Sequence, residues 1–140
     1  MNAGILPRPL GNYARWRRTA ETVYVAGVSA RLPSGEIDGV TREAGAVVQR
    51  DVAVQTRRVL RTIDTILQEA GACLADCVDM TVYLVREEDF AVFNATYAEF
   101  FPGVAPTRTT VVVRALPHPD MVVEIKAVAW TSGVVAAKAG

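Results

Sequence analysis

The stretch DVAVQTRRVLRTIDTILQEAG, residues 51–71, decides the fold class. Val59, Leu60, Ile63, Ile66, Leu67 and Ala70 recur at helical spacing; Asp51 opens the helix and Gly71 supplies its stop. Working outward, Val78, Met80, Val82 and Leu84 alternate with Asp79, Thr81 and Tyr83, which predicts a strand with one buried face. Asp89 is placed to cap a second helix whose stripe is Phe90, Phe93, Tyr97 and Phe101, ended by Pro102 and Pro106. Upstream, residues 13–18 (YARWRR) and 22–27 (TVYVAG) read as two short strands around a turn. Residues 28–49 carry Gly and Ser with isolated apolar positions and read as one long loop, of the kind that is functional or disordered. Downstream, strands over 108–114 and 122–130 flank the loop ALPHPDM. The order β-β-α-β-α-β-β predicts an α+β domain, a single sheet with both helices on one face.

Alternation in the last two strands bears on function. Val123, Ile125, Ala127 and Ala129 form a continuous apolar face, with Val122, Glu124, Lys126 and Val128 opposite. In the preceding strand Thr109, Val111 and Val113 share one face, and Arg108, Thr110, Val112 and Arg114 the other. If the more apolar face lies under the helices, Arg108, Thr110 and Glu124 all point away from them. That second face, with Val112, Val122, Val128 and Trp130, is too apolar to be left wet and fits an oligomer interface. An arginine and a glutamate there are partly shielded from water, where pairing and pKa tuning are strong.

Composition narrows the class. The 140 residues make one domain, assigned to 1–131, with 132–140 a small-residue tail expected to fray. Hydrophobic residues are 51% and charged residues 21%, a globular balance. The formal net charge of 0 argues against nucleic acid or an anionic membrane as the main partner. No apolar run reaches the roughly 18 residues of a membrane span. No apolar segment precedes the N-terminal arginines as in a secretory signal, so a cytoplasmic protein is expected. Cys73, Cys77 and the single histidine, His118, do not supply the four ligands zinc wants, and both thiols are expected to be buried and inert. Glu87, Glu88 and Asp89 read as helix N-terminal charges rather than a metal site. Among 15 basic residues only Lys126 and Lys138 are lysines. Arginine grips carboxylates bidentately, although a biased genome gives the same excess.

DVAVQTRRVLRTIDTILQEAG, DFAVFNATYAEFF, PTRTTVVV and VVEIKAVA together resemble the RidA/YjgF family over nearly the whole chain. Within it, RPLGNYARWRR, the lengthened segment between Gly35 and Asp51, PTRTTV, LPHP and EIKA resemble the 2-aminomuconate deaminases. The resemblance implies a chorismate-mutase-like α+β domain in a homotrimer with a ligand cleft at each subunit interface. By similarity Arg108 binds a carboxylate, Glu124 positions or activates the attacking water, Tyr13 lines the cleft, and Ala26 and Gly27 form the turn closing the second strand. Three positions depart from the family pattern. Thr110 stands where many members carry Cys, Ala26 where many carry Ser, and Lys126 where a second Glu occurs.

The activity implied is hydrolysis of a dicarboxylate enamine, 2-aminomuconate or a close relative, through its imine, giving 4-oxalocrotonate or its enol and ammonia. It needs a cation for a carboxylate, a proton shuttle and an ordered water, and neither metal nor organic cofactor. On residues alone, a structural Arg108–Glu124 ion pair at a subunit seam explains the same two residues. For the second carboxylate, Arg15, Arg17, Arg18 and Arg31 lie near the N-terminal strands, with Arg15 and Arg17 on Tyr13's face by alternation, or on a solvated strand face. His118 can donate to a carboxylate or shuttle a proton, or stand exposed in its loop. Asn94 fits a packing or hydrogen-bonding role. Two rival readings are a broad deaminase of small imines and a small-carboxylate-binding trimer that turns nothing over.

Overall fold

The computed structural model describes residues 6–132. Asp51 starts helix α1 (Val52–Glu69) as its carboxylate accepts the N–H groups of Ala53 and Val54 at 2.9 and 3.1 Å. The other end closes through Gly71, whose φ of +80° lets Ala72 donate to the Leu67 carbonyl at 2.8 Å. Arg18 adds a cation at that C-terminus, donating to the Ala70 carbonyl at 3.0 Å. The predicted stripe is the buried one, with Val59, Leu60, Ile63 and Leu67 fully inaccessible. Each such side chain contributes about 1.5–3 kcal/mol of burial.

Strands β1 (Trp16–Thr19) and β2 (Thr22–Ser29) precede a separate hairpin of β3 (Val40–Glu43) and β4 (Ala46–Arg50). After α1 come β5 (Cys77–Leu84), helix α2 (Phe90–Ala98), β6 (Thr107–Val112) and β7 (Val123–Trp130). The main sheet has the order β1-β2-β7-β5-β6, antiparallel except for β5 with β6. Val23, Val25, Met80, Val82, Ile125 and Ala127 form its buried face, and α1 and α2 pack together on that side. Among the described residues no helix is long and apolar enough to cross a membrane.

Several expectations are corrected. Residues 28–49 are not one loop: they contain β3 and the start of β4. The hairpin escapes pattern reading because most of its residues are exposed and its turn uses Ala44 at φ +52° rather than Asn or Asp. A register shift between Cys77 and Asp79 buries Cys77 and turns Val78 outward, so Val78 leaves the predicted buried row. Cys77 is buried as expected, but Cys73 is exposed. Asp89 makes no cap bond; it is buried and accepts from Arg86 Nε at 2.7 Å. Phe90 is exposed, which narrows the α2 stripe to Phe93 and Tyr97, with Phe101 half-buried. Val122 precedes β7 and is buried rather than on the second face.

Candidate active site

The largest correction concerns β6. It runs parallel to β5 with Arg108 beside Met80 and Thr110 beside Val82, and laterally paired residues share a face. Met80 and Val82 belong to the core, so Arg108 and Thr110 lie on the helix side, not away from it. Thr109 and Val111 take the outer face instead. Edge position decides the outcome: among the described residues no strand pairs beyond β6, and Arg108 extends past the core and settles on α2. Its guanidinium carbon stands 4.7 Å from the Tyr97 ring centre and 5.3 Å from that of Phe93. Nη2 donates to Asn94 Oδ1 at 2.8 Å. No carboxylate faces this arginine among the described ion pairs. The hydroxyls of Thr110 and Tyr97 are buried without partners. Burial pushes the Tyr97 hydroxyl up to about 12, against the pull of Arg108.

Glu124 takes the outer face as expected, directed into a cavity of about 530 Å³. Strand β2 carries a bulge between Val25 and Val28, and Glu124 pairs with Ser29 just past it. The carboxylate fills the space above Gly27: a Cβ there would collide with Oε2. Glu124 is half-buried, and burial raises its pKa above the ordinary value. No ion pair or hydrogen bond reaches the carboxylate among the described residues. A carboxyl held this way takes and returns a proton more readily near neutrality than an exposed one.

Tyr13, Ala26 and Gly27 line this cavity with Glu124; Ala26 and Gly27 sit in the bulge inside β2, which continues to Ser29, rather than in a turn that closes the strand. The chain before β1 forms one wall as a strap. Leu6 is sunk in the core, Arg15 Nη2 donates to the Pro7 carbonyl at 2.7 Å, and Arg31 Nη2 donates to the Arg8 carbonyl. Pro117 and Met121 form another wall. Arg17 does not line it: paired with Tyr24, it stands on the exposed outer face of β1. Of the strap residues, Tyr13 and Arg15 were sequence candidates, whereas Arg8 was not legible as a site component, because an irregular segment has no period to place its side chains.

His118 lies in a second cavity, of about 470 Å³, with Asp38, Arg42 and Asp120. Its Nδ1 accepts the Asp120 N–H at 3.0 Å, so Nε2 holds the proton of the neutral ring. Asp120 is buried and takes Arg42 at 2.7 Å and Arg50 at 3.1 Å, both from the β3–β4 hairpin. Buried Gln55 of α1 donates to the Asp120 carbonyl at 2.8 Å and accepts the Val122 N–H at 3.0 Å. The hairpin and α1 thus pin the loop whose Pro117 and Met121 wall the Glu124 cavity. Among the described residues no three His, Cys, Asp or Glu side chains are grouped to hold a metal.

A five-stranded α+β sheet with two helices on one face is the fold of a known set of solved structures. The Escherichia coli YjgF gene product matches with a TM-score of 0.76 at 31% identity, covering 90% of this chain and 93% of that one. The family model described as Endoribonuclease L-PSP matches residues 5–131, and the chain belongs to that family, also called RidA/YjgF. A RutC family protein of Pyrococcus abyssi is 38% identical over 124 residues, 89% of this chain and 90% of the relative. The 3-aminoacrylate deaminase RutC of Acinetobacter baylyi is 37% identical over 123 residues, 88% of this chain and 90% of the relative.

Proposed function

We propose that this protein is a cofactor-independent enamine and imine deaminase whose substrate is 2-aminomuconate or a close dicarboxylate enamine. The observation that carries the reading is Glu124, an unpaired carboxyl with a raised pKa, held over Gly27 in an open cavity. Glu124 in its acid form gives a proton to the enamine carbon, which forms the iminium ion. The carboxylate then removes a proton from water as the oxygen bonds to the iminium carbon, and passes this proton to nitrogen. The C–N bond breaks as the hydroxyl proton returns to Glu124, so ammonia leaves, the carbonyl remains and no oxidant or reductant is consumed. Arg108 clamps the carboxylate beside the reacting carbon.

Within one chain Arg108 and Glu124 lie on opposite faces with β5 between their strands, so one small substrate cannot touch both. The proposal therefore takes Arg108 from a neighbouring copy in a homotrimer. Support comes from the outer face, where Tyr24 and Trp130 are 45% and 50% exposed beside Val128. An apolar surface of that kind is normally covered. The name of the A. baylyi relative favours a second reading, a deaminase of small monocarboxylate enamines.

Freshly generated 2-aminomuconate, followed by loss of ultraviolet absorbance and by released ammonia, tests the proposal beside 3-aminoacrylate. Stoichiometric ammonia from the dicarboxylate with faster turnover supports the reading. Ammonia from aminoacrylate alone selects the second reading, and none from either overturns both.

A further inference from the structure

Arg8, Arg15, Arg31 and Lys126 line the same cavity as Glu124, four cations against one carboxylate. None of the four meets an acid among the described ion pairs, whereas Arg42, Arg50, Arg57, Arg58 and Arg86 each end on Asp or Glu. Lys126 is engaged by the Val25 carbonyl at 3.1 Å. Arg15 and Arg31 are each fixed by one bond to a strap carbonyl, which leaves most of their five N–H donors free. The ties of Arg15 and Arg31 to the Pro7 and Arg8 carbonyls gather the arginine charge of the cavity at its strap end.

We propose that Arg8, Arg15 and Arg31 form a second carboxylate subsite that makes this pocket selective for doubly charged ligands. The inference rests on the deaminase reading for its natural substrate, which spans from the reacting carbon beside Glu124 to the strap. Positive charge held ready in a partly enclosed cavity lowers the cost of ordering the ligand's far end. Arg17, on the outer face of β1, has no part in it.

Calorimetric titration with trans,trans-muconate and with sorbate, the same six-carbon diene bearing two carboxylates or one, tests the subsite without turnover. The wild-type chain is expected to bind muconate at least tenfold more tightly, and raising the salt should narrow the preference. Arg31→Gln and Arg8→Ala should each cut it several-fold. Arg8→Ala keeps the strap tie, which uses the Arg8 carbonyl, and thermal melts verify the fold of both variants. Equal affinity for the two dienes, failure to bind either, or a preference that survives both substitutions overturns the subsite. Muconate preference without ammonia release from any enamine keeps the subsite and removes the deaminase. Ammonia release without the preference does the reverse.

Discussion

The two faces of the sheet hold their key charges in opposite ways. On the helix face, Arg108 rests on the rings of Phe93 and Tyr97 and donates to a neutral amide, so its positive charge is oriented but not cancelled. On the outer face, Glu124 is oriented by a strand bulge and a missing Cβ, and its negative charge is neither cancelled nor well hydrated. A structural ion pair would have brought the two together. Asp120, gripped by Arg42 and Arg50, shows what a structural acid looks like in this chain. The contrast separates groups spent on holding the fold from groups left free for a ligand.

The heaviest blow to this contrast is expected from Glu124→Gln. Turnover should fall on the order of 100-fold or more while ligand binding is largely kept; rates near wild type would remove Glu124 from the mechanism. Arg108→Ala should weaken binding and turnover together by about 1.5–3 kcal/mol, the worth of a charge-assisted clamp. If the two faces meet only across an interface, refolding the two inactive variants as an equal mixture restores about a quarter of the intact sites. No recovery in mixed assemblies would place both residues of a site in one chain, against the register of β5 and β6. Gly27→Ala comes next, because the added Cβ displaces the Glu124 carboxylate from its place. Activity should drop roughly tenfold or more, with the melting temperature little changed, since a flexible side-chain end can move aside.

What the sequence disclosed follows from periodicity. Helix α1, from the Asp51 cap to Gly71, and the apolar face of β7 repeat cleanly, so both are where pattern reading puts them. Glu124 falls on the predicted side because β7 is central and its alternation is unbroken. Arg108 does not: an edge strand of polar and β-branched residues gives no sign of which row is buried, and only its pairing with Met80 settles the matter. The cavity's other components lie in irregular chain. The strap before β1 is tied through Arg15 and Arg31, and the Asp120 loop is tied to the hairpin by side-chain bonds between residues up to 78 positions apart. No local spacing encodes those. Arg31 stood among the sequence candidates, Arg8 did not, and Arg17 was placed with them by an alternation that starts only at Trp16.

Smaller effects sharpen the same contrast. Asp120→Ala strips Arg42 and Arg50 of their acid, but both arginines are partly exposed and can be hydrated. The cost should be about 1–2 kcal/mol in urea unfolding, below that of a fully buried pair. The smallest effect is the most diagnostic of Glu124. Its folded-state pKa is raised by burial, so the native protein holds this proton more tightly than the unfolded chain does. Stability from this group is complete below the ordinary glutamate range and declines as pH rises toward the folded pKa. Glutamine has no proton to lose. Relative to wild type, Glu124→Gln should therefore gain more stability at pH 7 than at pH 4, even as it abolishes turnover. Paired urea titrations at the two pH values measure that difference, and the common pH response of the rest of the chain cancels. A difference of the opposite sign would mean that the folded protein stabilises the charge on Glu124, as a structural ion pair does, and the distinction between the two faces would be lost.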